Sequence, residues 1–437
     1  MSLAWQVRTA SSSEFFPSHW KVRRVGDLVT LINGFPFSSE TFGPSGDLPL
    51  IRIRDLGNQP FETYVSGRIP ESSIVRNGDV VIGMDGDFNL RIWDRGRAAL
   101  NQRLCLLRPR QGVDIRFIAY ALPSALKVLN DLTFATTVKH LSSGDVLSER
   151  MPLPPAEDQR RIADFLDAET SRIDALLSSQ QRLLSLLSER RAAGVVAAVS
   201  GGSHTERKDT DLSWLRSLPH HWQKVRVGLV ARMGSGHTPS RSHPEWWVDC
   251  TIPWITTGEV KQLRSDRIED LHLTREKISE LGLANSSAEL CPKGTVFLCR
   301  TASAGYSGVM GTDMATSQDF VTWTCGPHLN PHFLLWCLRA MRPDLLGRLA
   351  MGSTHKTIYV PDLQMLRIPL PPLAEQAEIV ETIRHQNTGI DALMDKVSRQ
   401  GELLTERRQA LITAAVTGQF DVSTASGRNV TDGVPAT

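Results

Sequence analysis

The side chains most often used for catalysis and metal binding are scattered along this chain. The six cysteines (Cys105, Cys250, Cys291, Cys299, Cys325, Cys337) never fall in a CxxC spacing, so neither a zinc ribbon nor a redox pair is expected. They are too few for a disulfide framework and read as reduced, mostly buried thiols. Twelve histidines are equally dispersed. The adjacent His220-His221 sits beside Trp222 and reads as a structural tether rather than a metal pair. Paired acids such as Glu269-Asp270 are common surface residues. There is no GxxxxGK(S/T) phosphate loop, no glycine fingerprint between a strand and a helix, and no HExxH, GxSxG, HxE…PCxxC or EF-hand pattern. No catalytic residue, metal ligand or resident cofactor is therefore expected.

The 437 residues leave room for two or three domains, and 41% hydrophobic with 22% charged residues is a globular balance. The longest near-continuous apolar stretch, around 194–199, is far short of the ~20 residues that cross a bilayer. The opening MSLAWQVRTASSSEFF lacks a basic segment followed by an apolar one, so no signal peptide is expected. Net charge is only +2, but its distribution is patterned. Residues 20–150 hold 17 basic against 14 acidic side chains, and residues 222–367 hold 16 against 13. Residues 156–200 and 373–418 lean the other way, with 6 against 7 and 5 against 7. Two mildly basic blocks thus alternate with two mildly acidic ones, a faint pointer to nucleic acid.

The chain contains one plan twice. Pro152-Leu153-Pro154-Pro155 recurs as Pro369-Leu370-Pro371-Pro372, an offset of 217 residues that then holds without a gap. Ile173-Asp174-Ala175-Leu176-Leu177 becomes Ile390-Asp391-Ala392-Leu393-Met394, and Glu189-Arg190-Arg191 becomes Glu406-Arg407-Arg408. Upstream the likeness is looser: Pro17-Ser18-His19-Trp20 answers Pro219-His220-His221-Trp222 at an offset of 202, and Asn101-Gln102 resembles Ser317-Gln318. Near-identical connectors beside divergent blocks suggest one architecture carrying two recognition surfaces.

The connectors read as long helices. Prolines precede each, acids occupy the first turn (Glu157, Asp158; Glu375, Glu378), and Gly201 or Gly418 follows. Steps of four and three select Ile162, Leu166, Glu169, Ile173, Leu176, Gln180, Leu183 and Leu187 in the first. In the second they select Ile379, Ile383, Gln386, Ile390, Leu393, Val397, Gln400 and Leu404. This is a coiled-coil seam too narrow to stand alone, so antiparallel pairing within one chain is expected. The alternative is two amphipathic helices packed on their own blocks.

Each block reads as a small α/β module. Strand-like runs fall at 28–32, 48–54, 79–84 and 103–108, and again at 252–256, 294–299 and 319–325. Apolar helical stretches follow at 115–130 and 331–350, where Pro123 and Pro343 should bend or break them. A hydroxyl-rich loop closes each block, Thr133 to Ser143 and Gly352 to Thr357. The stretch 201–213 reads as a flexible linker and 419–437 as a frayed tail.

Together these motifs resemble the specificity subunits of type I restriction-modification enzymes. The resemblance rests on MPLPPAEDQ at 151–159 and IPLPPLAEQ at 368–376, the helices that follow them with IDALL or IDALM, and the PxHW entry to each block. It rests further on the segments 252–260 and 352–358 and covers about Trp20 to Gly418. The first block departs at 135–141, ATTVKHL, where a GST-type loop stands in the second. The resemblance implies an α+β fold: two globular α/β target recognition domains separated by two long helices that form an antiparallel coiled coil, in a pseudo-two-fold internal repeat. The expected boundaries are 1–155 for the first recognition domain, 156–200 for the first helix, 201–221 for a linker, 222–372 for the second domain, 373–418 for the second helix and 419–437 for the tail.

The same resemblance implies a non-catalytic, cytoplasmic prokaryotic subunit that reads a bipartite, asymmetric double-stranded DNA target. Its implied partners are two methyltransferase subunits and restriction (motor) subunits, with S-adenosylmethionine, ATP and Mg on those partners and no membrane. Candidate DNA contacts in the first block are Arg52, Arg54, Asn89, Arg91, Arg95, Asn101, Gln102, Lys139 and His140. In the second they are Thr256, Thr257, Lys261, Arg300, Ser303, Ser317, Gln318, Thr354, His355 and Lys356. Arg, Asn and Gln can grip base edges bidentately, and lysines in hydroxyl-rich loops suit phosphates. Lys139 and Lys356 are themselves related by the 217-residue offset. The competing reading is a bivalent protein-protein scaffold on a coiled-coil strut.

Overall fold

The computed structural model describes residues 16–57, 59–132, 140–350 and 356–422. These divide into two compact units, the first within Met1–Gln180 and Arg399–Thr437, the second within Gln181–Ser398. Four helices frame the units: α1 (Ile115–Leu132), α2 (Ala156–Val199), α3 (Pro331–Asp344) and α4 (Leu373–Val416). The two long helices, α2 and α4, run for 44 residues each.

The first unit is built on β1 (Lys21–Arg24), β2 (Val29–Asn33), β3 (Leu48–Ile51), β4 (Val80–Gly83), β5 (Leu90–Ile92), β6 (Ala98–Leu100), β7 (Leu104–Pro109) and β8 (Arg150–Leu153). Its main sheet has the order β2–β7–β4–β5 and is antiparallel throughout. Because side chains alternate across a strand, β4 feeds two cores. Val80 and Ile82 pack with Phe117, Leu122 and Leu126 of α1, while Val81 joins Ile51, Trp93, Leu104 and Leu106. The first of these cores also takes in Ile162 and Leu166 from the start of α2 and Leu411 and Ala415 from the end of α4. The helices are therefore antiparallel.

The second unit repeats the arrangement with β9 (Gln223–Arg226), β10 (Ala231–Ser235), β11 (Ile252–Ile255), β12 (Asp270–Leu271), β13 (Val296–Cys299), β14 (Ser307–Met310), β15 (Ala315–Thr316), β16 (Phe320–Cys325) and β17 (Arg367–Leu370). Its main sheet runs β10–β16–β13–β14–β12, with only the last pair parallel. The core combines Val296, Leu298, Val321 and Trp323 with Phe333, Cys337 and Met341 of α3, Val195 and Val199 from the end of α2, and Val380 and Ile383 from the start of α4.

The repeated motifs meet in pairs. β1 pairs with β8 (Lys21 opposite Leu153), and β9 pairs with β17 (Gln223 opposite Leu370), so the PxHW entry lies beside the PLPP exit of its own block. The glycines that follow α2 and α4 have positive φ, +68° at Gly201 and +72° at Gly418. A Cβ on Gly201 would fall 2.5 Å from Pro219 and 3.0 Å from Trp222; one on Gly418 would fall 2.6 Å from Pro17 and 3.2 Å from Trp20. Each PxHW motif thus seats its proline and tryptophan on a helix-ending glycine, where any side chain would collide and the backbone conformation disfavours one.

Three expectations need correction. The seam expected through Leu176, Leu183 and Leu393 runs elsewhere: these side chains are 49%, 40% and 44% exposed. Ile162, Leu166, Ile173, Leu187, Ile383 and Val397 are buried, and Ile379, Ile390 and Leu404 are half-buried. The inward positions beside the exposed leucines are Leu177, Leu184 and Met394. After Leu166 the buried residue is Thr170, at 4% exposure, beside the expected Glu169, whose side chain is 13% exposed; the Thr170 hydroxyl donates to the Leu166 carbonyl at 2.6 Å and lies 3.2 Å from the Tyr120 hydroxyl of α1. One step of four in place of three, from Leu166 to Thr170, shifts the phase by one residue. Adjacent apolar pairs accept either register, so the pattern alone could not choose.

The stretch 201–213 is ordered rather than a flexible linker. Arg207–Asp209 pairs with Ser217–Pro219, and the Arg207 guanidinium donates to the carbonyls of Ser200, Gly201 and Ser217. Of the bend or break expected at Pro123, the break is absent: α1 continues past it. Pro123 lies on the solvent face, while Leu122 and Leu126 are buried and anchor both sides. Pro343 does mark an ending, one residue before the end of α3, where a wider π-turn follows at Leu345–Leu349.

Candidate nucleic-acid interface

In each unit a polar rim forms where strand ends and a closing loop are held by equivalent backbone hydrogen bonds. In the first unit, Met84 N–H donates to Arg103 O at 2.9 Å, Leu141 N–H to Met84 O at 2.7 Å, and Asn101 N–H to Ile51 O at 3.3 Å. In the second, Arg300 N–H donates to Asp319 O at 2.8 Å, Ile358 N–H to Arg300 O at 2.8 Å, and Ser317 N–H to Ile255 O at 2.9 Å. The strand end, the turn and the closing loop are brought together in the same way twice.

The first rim gathers Asn101, Gln102 and His140, with Asn89 in the exposed loop after β4. Asp85 organises it. Its Oδ1 lies 2.7 Å from His140 Nδ1, and Arg103, 65% exposed, pairs with its Oδ2. Burial works to raise the Asp85 pKa, but the hydrogen bonds from His140 and Arg103 outweigh it and hold the carboxyl below its usual range. Arg103 was not among the expected contacts, although it directly follows the repeated Asn101-Gln102 pair. Lys139 lies outside the described residues.

The second rim gathers Arg300, Ser303 and Gln318, with Thr256 and the exposed Thr257 beside the turn and Lys356 exposed at the closing loop. Arg300 Nε donates to Gln318 O at 3.0 Å, and the Thr238 hydroxyl donates to Gln318 Oε1, so Thr238 is a rim residue that the sequence pattern missed. Lys261 is exposed in the short helix just after Thr257. Ser317 is only 3% exposed and bonds to Asp319, so it shapes the turn rather than facing outward. Thr354 and His355 lie outside the described residues.

Three arginines have other occupations. Arg91 donates to the carbonyls of Leu56 and Gly57 and pairs with Asp94 at 2.7 Å. Arg95 donates to Asp55, Gly57 and Gln59 carbonyls and stacks 3.8 Å over the Phe61 ring. Arg52 folds back on Asp55 at 3.2 Å. They brace the segment after β3, because a guanidinium fork fits backbone carbonyls as readily as a base edge. Arg54 is exposed and pairs with Glu62 at 2.7 Å. The rims thus offer amide, guanidinium, hydroxyl and ammonium groups, suited to hydrogen bonding with phosphates and base edges.

A duplicated α+β unit with paired rims on a long helix pair defines a two-module recognition protein. The family model described as the type I restriction modification DNA specificity domain matches residues 17–183 and again 219–395, and the chain belongs to that family. The EcoBI specificity subunit of Escherichia coli is 28% identical over 413 residues, covering 92% of this chain and 86% of that one. The EcoKI specificity subunit of Escherichia coli strain K12 is 22% identical, covering 92% and 90%. Among solved structures, a chain described under "Structural basis underlying complex assembly and conformational transition of the type I R-M system" shares the fold, with a TM-score of 0.66 at 19% identity, covering 93% of this chain and 99% of that one. The HsdS subunit from Thermoanaerobacter tengcongensis gives a TM-score of 0.50 at 18% identity, covering 94% and 99%. Among the described residues no helix is long and apolar enough to cross a membrane.

Proposed function

We propose that each rim reads one half of a bipartite, asymmetric double-stranded DNA target, and that this chain directs methyltransferase and restriction subunits to it. The carrying observation is one backbone frame presenting different side chains: Asn101, Gln102, Arg103 and His140 in one unit, and Gln318, Asp319 and Lys356 in the other, where Ser317 at the register of Asn101 turns inward. Different donors on the same frame suit different half-sites. On this reading Asn89, Asn101, Gln102, Arg103 and His140, with Arg300, Gln318, Thr238, Thr257, Lys261 and Lys356, are the contacts to test first. The chain is a non-catalytic, cytoplasmic subunit of a prokaryotic system. S-adenosylmethionine, ATP and Mg belong to its two methyltransferase partners and its restriction subunits.

The exposed leucines of the long helices support the partner assignment. Leu176, Leu183, Leu186, Leu393 and Leu403 are each 40% exposed or more. They suit docking of an apolar helix or sheet from a methyltransferase subunit.

Replacing residues 20–150 with the matching block of a relative tests the reading. One half of the methylated sequence should change while the other half and the spacing stay. A change in both halves would overturn independent reading. Binding insensitive to salt would favour a protein-protein scaffold instead, since phosphate contacts release counterions.

A further inference from the structure

We propose that His204, His221 and Glu375 form a binding site for a zinc-class divalent cation, which fastens the ordered hairpin after α2 to the first turn of α4. The two imidazoles and the carboxylate offer one ligand atom each, and these atoms all lie within 4.8 Å of one another. His221 Nε2 is 3.0 Å from Glu375 Oε1, and His204 Nε2 is 3.7 Å from Oε2. Ligands on one tetrahedral zinc, with bonds of about 2.0 Å, stand roughly 3.3 Å apart. Small rotations of partly exposed side chains therefore close the site, and a fourth position remains for water.

The surroundings are built to hold these three groups. The Trp222 indole N–H donates to Glu375 Oε2 at 2.8 Å, the outer-shell bond that fixes a ligating carboxylate. The His204 and His221 rings meet edge to face at 5.1 Å, and His204 packs against Trp222 at 5.9 Å. Arg207, bonded to Ser200 and Gly201 carbonyls, fixes the loop that carries His204.

The first unit supplies the contrast. The repeat places His19 at the register of His221 and Asp158 at the register of Glu375. There His19 lies 4.0 Å from Asp158, and Arg161 forms an ion pair with the same carboxylate. The register of Arg161 in α4 is Glu378, an acid. One copy therefore carries its own cation, and the other replaces it with a further negative charge and adds His204. That exchange is what a site for an external cation requires.

The tag-free, full-length chain, stripped with EDTA, should take up one equivalent of Zn²⁺ by calorimetry and melt at a higher temperature with it. Co²⁺ in its place should give the visible absorption of a tetrahedral site. His204→Gln and His221→Gln should abolish that spectrum, while His19→Gln should leave it intact. Glu375→Gln retains an acceptor for Trp222 and should weaken Zn²⁺ binding about tenfold or more. The site is overturned if the wild type binds no Zn²⁺, or if His204→Gln, His221→Gln and Glu375→Gln bind it as tightly as the wild type does. Should a histidine variant lose its fold by circular dichroism, Glu375→Gln alone decides.

Discussion

Gln159 and Gln376, 217 residues apart in sequence, share two hydrogen bonds in the two units, and Gln376 adds a third, from its Nε2 to the His328 carbonyl at 3.0 Å. Each donates from Nε2 to a proline carbonyl of the preceding PLPP, Pro154 or Pro371, at 2.9 Å. Each accepts a backbone N–H at the entry to the block helix, from Asp114 at 2.9 Å or Asn330 at 2.8 Å. Both are about fully buried, at 1% and 0% exposure. The last residue of each PPxxxQ motif is thus a rivet between a long helix and its block.

Gln159→Leu and Gln376→Leu should each destabilise the chain. The apolar replacement leaves buried backbone groups without partners, at a cost of about 1–3 kcal/mol. A thermal melt of each variant measures it, and an unchanged midpoint would show that the rivet is dispensable.

The leucines separate two roles of the long helices. Leu187→Asp buries an unpaired charge in the seam and should cost several kcal/mol. Leu176→Asp and Leu393→Asp place the charge in solvent and should leave the melting curve nearly unchanged. If these exposed leucines dock methyltransferase subunits, the same two variants should fail to co-purify with them. Loss of stability in Leu176→Asp would restore the seam that the heptad pattern suggests.

Lys356 and Gln318 should differ in kind. Lys356→Ala should weaken binding to target and non-target DNA alike and lower the salt slope by about one. Gln318→Ala should lose ~1–3 kcal/mol on the target only. Titrations at several salt concentrations distinguish them; an unchanged slope removes Lys356 from the phosphate contacts.

Asp85 predicts a pH dependence. Its carboxyl is held below its ordinary value of 3.8 by His140 and Arg103. A lowered folded-state pKa stabilises the fold above the ordinary value, and the contribution is lost as pH falls through the lowered one. The melting-temperature margin of the wild type over Asp85→Asn should therefore shrink between about pH 5 and pH 3. A constant margin would show that the charge is unimportant there.

Local chemistry in the sequence determined a great deal. The runs at 79–84, 103–108, 294–299 and 319–325 are strands because clustered Val, Ile, Leu, Phe and Trp fit a surface buried on both sides. Proline before and glycine after marked both long helices closely, since those residues act on the backbone nearest them. The repeat itself placed the PxHW, PLPP and Asn-Gln positions that the rims and rivets use. Tertiary structure decided what depends on distant partners. Periodicity could not choose between Leu176 and Leu177, because a one-residue change of phase is set by what packs alongside. Composition could not say that Arg91 spends its donors on the carbonyls of Leu56 and Gly57 and Arg95 on those of Asp55, Gly57 and Gln59, nor that Ser317 faces inward. Nor could spacing bring His204 to Glu375, because it is the folding of the hairpin against the start of α4 that makes neighbours of residues so far apart in the chain.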